Sequence, residues 1–140
     1  MKKYILFFAL SFLLFSPLIS SAKSLSDVKI SLSENLNKDC HPMVNPDTNI
    51  ASACYREENG IHKFFIRKDL PVQLLPRVLV RLYGSYLMSD VDDNQLRGLF
   101  IPPRSWYPVR ETAVDGFVLW FYGVRMTPSQ DKFFRDLLVK

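Results

Sequence analysis

Histidine is nearly absent from this chain of 140 residues: His41 and His62 are the only two. Neither has a partner at the spacing of a zinc-binding histidine pair, and no His-Glu-x-x-His run occurs, so both read as ordinary loop and strand residues. Serine chemistry lacks its usual setting too. Ser85 and Ser105 sit in no Gly-x-Ser-x-Gly turn, and no histidine is placed to serve as their base. Lysine and arginine form no run that would give a clustered basic face, which speaks against nucleic acid as a partner. There are no internal repeats. The one long apolar run, Tyr4 to Phe15, falls short of the roughly 20 residues that a membrane-spanning helix needs.

That run nevertheless has a clear reading. Lys2 and Lys3 precede it, Ser16-Pro17 break it, and Ser20 and Ala22 supply the small residues that a signal peptidase reads. The expectation is a secretory signal over residues 1–22 and a single mature domain over 23–140, in the periplasm or outside the cell. An uncleaved N-terminal anchor is the alternative, weakened by Ser11, Ser16 and Pro17. Removal of Lys2 and Lys3 leaves 16 basic against 14 acidic residues, a net charge of +2. The mature chain of about 118 residues is long enough to bury a core. Cys40 and Cys54 are the only cysteines, and in an exported chain they read as one disulfide closing a turn-rich loop. A metal site built on Cys40, His41 and Cys54 would lack a fourth ligand at a familiar spacing.

The pattern along the chain predicts an α+β fold. Leu25 to Leu36 fits neither the helical nor the strand period cleanly and stays open between a short helix and a lead-in strand. Ala51 to Arg56 and Ile61 to Arg67 flank Glu57-Glu58-Asn59-Gly60, and Asn-Gly between two such runs predicts a β-hairpin. A helix follows from Pro71 to about Ser89, with Pro76 either bending it or marking its true start. Asp90 to Asn94 reads as a solvated turn. It resembles a calcium loop only crudely, because the later glycine and terminal glutamate are missing. Pro102, Pro103 and Pro108 make 101–108 an aromatic loop. A second helix is expected from Val109 to about Val124. Thr127, Pro128 and Gln130 then form a capping box that opens a final helix reaching about Leu138.

Two short segments carry chemical information. Leu79-Val80-Arg81-Leu82-Tyr83-Gly84-Ser85-Tyr86-Leu87 has the shape of a zinc-protease helix, and Arg110-Glu111-Thr112-Ala113-Val114-Asp115-Gly116-Phe117 follows it as a second helix would. On these residues the stretch from Ala51 to Leu138 resembles a bacterial family of small exported metallopeptidase-like proteins of the gluzincin-like zincin type. The resemblance implies a zincin-like small domain: a β-hairpin, two central helices crossing at the metal position, and a C-terminal helix on their back. It further implies that Arg81 and Ser85 replace the two metal-binding histidines and Leu82 the catalytic glutamate. Glu111 carries over as third ligand and Asp115 as its neighbour on the same helix face. With those replacements no catalytic residue and no metal are expected, zinc having been lost.

Arg81 then acquires a physical expectation. A carboxylate at Glu111 facing the old metal position needs a positive partner, and an arginine at the first ligand position supplies one. The opposite outcome is two separate solvated side chains. Trp106, Tyr107, Trp120 and Tyr122 either line a groove beside this position or belong to the core. Three functions compete: an inactive protease relative that binds a protein, peptide or envelope component; an enzyme with recruited ligands among Glu111, Asp115, His41 and His62; and an interaction domain unrelated to zincins. A hairpin lying away from the Arg81 helix would favour the last.

Overall fold

A computed structural model describes residues 23–40 and 52–139; the expected signal segment, His41 and most of the inter-cysteine loop lie outside the described residues. The fold is α+β, with three strands in one sheet and five α-helices among the described residues. A 3-10 turn over Leu25–Asp27 leads into β1 (Val28–Ser33). The stretch that sequence left open thus resolves as a strand. Its burial does not alternate cleanly, Ile30 being exposed and Ser33 buried, which is why neither period is evident. A single helical turn, α1 (Leu36–Asp39), follows, capped by the Asn35 side chain.

The hairpin forms as expected, with β2 (Ala53–Glu58) and β3 (Ile61–Arg67) antiparallel. The turn is tighter than the sequence suggests, because the first strand runs on through Glu58. Asn59 and Gly60 alone make it, both at positive φ (53° and 75°), the conformation a two-residue hairpin demands. β3 is the central strand. β1 pairs with it in parallel, Ile30 opposite Phe64 and Leu32 opposite Ile66, giving the order β1-β3-β2. Cys40 and Cys54 are joined by a disulfide with Cα atoms 6.0 Å apart, tying the end of α1 to β2. Such a bond belongs with an oxidising compartment.

After a 3-10 turn at Val72–Leu74, α2 runs Leu75–Leu87. Pro76 lies in its first turn, where no backbone donor is required, so it starts the helix instead of bending it. The acidic stretch starts as the expected solvated turn at Asp90, but its end, Asp93 and Asn94, is helical. Asp92 caps a short helix, α3 (Asp93–Arg97), and Leu96 is buried beneath it. Helix α4 runs Val109–Phe121, three residues short of the expected limit, and Gly123 just beyond it takes φ 86°. Helix α5 spans Pro128–Val139. Its capping box is present: Gln130 N–H donates to Thr127 Oγ1 at 3.3 Å, and Thr127 N–H to Gln130 Oε1 at 3.2 Å. Among the described residues no helix is long and apolar enough to cross a membrane.

One core joins these elements. Phe64 and Ile66 of β3, Val80, Leu82, Tyr83 and Tyr86 of α2, Phe117 of α4 and Phe134 of α5 belong to it. Tyr55 and Phe64 make ring contacts with Tyr86, so the hairpin lies against α2. At the α2–α4 crossing, Gly84 lets the Phe117 ring lie on the helix backbone. A Cβ at position 84 would stand 2.6 Å from Phe117 Cδ1. That ring cannot easily retreat, being hemmed by Tyr83, Trp120, Phe121 and Phe134. Gly84→Ala should therefore destabilise the fold, overpacking of about 1–3 kcal/mol exceeding a helix-propensity gain of at most about 1 kcal/mol. Gly98→Ala, where a Cβ meets nothing closer than 3.5 Å, is the control that leaves urea unfolding unchanged or slightly improved.

Candidate functional site

Arg81, Ser85, Glu111 and Asp115 come together on one side of the α2–α4 pair. Residues four apart on a helix share a face, which stacks Arg81 with Ser85 and Glu111 with Asp115. The guanidinium spans both carboxylates: Nη2 donates to Glu111 Oε2 and Nη1 to Asp115 Oδ1. The expected Arg81–Glu111 pair is present, and Asp115, expected only as a neighbour, takes the other branch of the fork. Burial opposes the Arg81 charge, but Asp115 first and then Glu111 outweigh it, so the guanidinium holds its proton more firmly than a free arginine does. The three groups carry a net charge of −1.

Around this bridge the other motif positions do different work. Ser85 donates through Oγ to the Arg81 carbonyl at 3.1 Å, a local bond along its own helix. Leu82 is 3% exposed and packs into the core, on a face turned from the bridge. Tyr107, from the proline-rich loop, donates its hydroxyl to Asp115 Oδ2 at 2.8 Å. Burial pushes its ionisation up, and the hydrogen bond to the anionic Asp115 pushes it further.

A zinc ion does not fit these residues. Its two carboxylates already hold a cation, Ser85 is turned to the backbone, and Leu82 offers no donor. Among the described residues no three His, Cys, Asp or Glu side chains are grouped to hold a metal. His62 accepts or donates at Nδ1 with the Tyr55 hydroxyl, 2.8 Å away, and stacks edgewise on Tyr86. It is a strand residue, far in role from a ligand. The acidic turn is likewise taken up by structure: Asp90 pairs with Lys23 at 2.6 Å, Asp92 caps α3, and Asp93 pairs with Arg110 at 2.5 Å.

The aromatic candidates divide. Trp120 packs against the core and donates Nε1–H to Asp131 at 2.8 Å. Tyr107 belongs to the bridge, whereas Trp106 and Tyr122 are exposed. Arg110 carried no expectation, yet its guanidinium gathers the Met88 and Val91 carbonyls and Asp93, clamping the end of α2 to the start of α4. Nothing in its sequence neighbourhood signals that role. For Tyr107 a signal existed: it is a hydroxyl next to a proline at the start of the Glu111–Asp115 helix.

Comparison with protein-family models, with curated proteins and with solved structures returned no match.

Burial is the leading cause that raises the ionisation of Tyr55, Tyr86 and Tyr107. In each the protonated form is favoured on folding, so its contribution is complete below about pH 10, the unfolded tyrosine value, and fades as pH rises through the higher folded value. Absorbance titration at 295 nm should show Tyr55, Tyr86 and Tyr107 ionising late, with stability falling from about pH 10 upward. Tyr107→Phe should remove one of these late-titrating groups.

Proposed function

We propose that this is an exported, non-hydrolytic binding domain of the cell envelope, related to zincin-type metallopeptidases, in which an arginine has taken over the position of the metal. The observation that carries the reading is the Arg81 fork across Glu111 and Asp115. In a zincin centre a dication would hold such carboxylates and polarise a water molecule. A guanidinium supplies the positive charge but has no vacant coordination position and cannot lower the pKa of water as a metal does. In this reading the guanidinium offsets one of the two carboxylate charges and the hydrolytic chemistry is lost.

Several features support this reading over its rivals. An enzyme with recruited ligands would need His62 or a comparable donor near Glu111, and His62 is engaged with Tyr55 on the sheet and with Tyr86 of α2. A hairpin lying away from the Arg81 helix would favour a domain unrelated to zincins, whereas Tyr55 and Phe64 pack on Tyr86 of that helix. The signal-like N-terminus and the disulfide together support export to the periplasm or beyond. The function left to such a domain is to bind a protein, peptide or envelope component.

Elemental analysis tests the reading from both sides. The mature chain and its Glu111→Ala variant should each carry far less than one zinc per molecule. The Arg81→His, Ser85→His variant, with Leu82 left in the core, should gain about one zinc per chain, because it restores a four-residue histidine pair opposite Glu111. Stoichiometric zinc in the natural chain that vanishes in Glu111→Ala would overturn the lost-metal reading. No uptake by a folded double-histidine variant would overturn the proposed relationship to zincins.

A further inference from the structure

The loop over residues 101–108 presents two large apolar side chains to solvent, Ile101 at 89% and Trp106 at 70% exposure. Single exposed apolar residues are common, but this pair stands within six residues of one pinned segment. Leu99 carbonyl accepts from Gln130 Nε2 at 2.9 Å, and buried Phe100 packs on Phe133 and Phe134, fixing the entry to the loop. At its exit Tyr107 N–H closes a turn on the Arg104 carbonyl at 3.0 Å, and the Tyr107 hydroxyl is held by Asp115. Pro102, Pro103 and Pro108 restrict the backbone between. Ile101 and Trp106 are thus held outward by the fold.

Along the chain itself, the charges next to them have one sign. No Asp or Glu occurs from residue 94 to residue 110, while Arg97 and Arg104 are exposed, and the Arg104 guanidinium lies 5.6 Å from the Trp106 ring centre. The carboxylates that flank the stretch are already engaged, Asp93 by Arg110 and Glu111 by Arg81. We infer that this loop docks the domain on a lipid bilayer bearing anionic headgroups. Protruding side chains suit a soft, featureless acceptor better than a shaped protein groove. Tryptophan favours the boundary between headgroup and acyl chain, and arginine beside it meets lipid phosphate. The rigid loop keeps the ordering entropy of docking small. This inference stands apart from the ancestry of the Arg81 centre, so vesicle binding and zinc uptake can fail separately.

The test is sedimentation of the mature chain with phosphatidylglycerol vesicles and with phosphatidylcholine vesicles, at low and at 0.5 M salt, with tryptophan emission followed in parallel. Binding to the anionic vesicles, weaker in high salt and accompanied by a blue shift absent from Trp106→Phe, is the expected result. Arg104→Ala should weaken partitioning about fivefold, and Ile101→Ser with Trp106→Ser by more than about tenfold. These side chains are exposed, so circular dichroism should show the variants folded. Failure to sediment with phosphatidylglycerol, or undiminished sedimentation of the double serine variant, would overturn the proposal. So would a wild-type dimer that the double variant converts to monomer without lipid, since the loop would then be a self-docking surface.

Discussion

Everything distinctive in this molecule depends on how closely α2 and α4 approach one another. Gly84 sets that distance by letting the Phe117 ring rest on the α2 backbone. At this separation the faces carrying Arg81 and the Glu111–Asp115 pair confront each other across one guanidinium. A larger residue at 84 would move the crossing and with it the reach of the fork. The same packing leaves Leu82 in the core, which removes position 82 from any chemistry at the bridge.

The bridge is a structural solution to an electrostatic problem. Two carboxylates four residues apart on one helix repel, and partial burial makes the repulsion more costly. Arginine answers with a planar fork that meets two acceptors at once, a geometry lysine cannot match. Because all three side chains remain more than one third exposed, solvent screens the pairing. Its effect is therefore on the order of 1 kcal/mol or less per pair. Its larger consequence is occupancy, since the donors a metal would need are already committed.

Much of the fold could be read locally. Asn59-Gly60 specified the hairpin, the Thr127–Gln130 pair the last helix, and the spacing of Leu79, Leu82, Tyr86 and Leu87 the first long one. The parallel β1–β3 pairing could not be read, because it joins segments some 34 residues apart with no turn to announce the register. Helix α3 escaped because five residues with one buried leucine carry no period. At the site, the Arg81–Glu111 contact followed from charge reasoning on a family resemblance. The part of Asp115 was legible too, since its four-residue spacing from Glu111 puts both on one face. The Arg110 clamp was not legible, as its acceptors are mostly backbone carbonyls that sequence does not reveal.

A thermodynamic double-mutant cycle on Arg81→Met and Asp115→Asn, read by urea unfolding at pH 7, bears most directly on the claim that a guanidinium holds these carboxylates. Methionine keeps much of the side-chain length and removes the charge. The account predicts a favourable coupling of roughly 0.5–1 kcal/mol that shrinks in 0.5 M salt. Strict additivity of the two substitutions at low salt would contradict it.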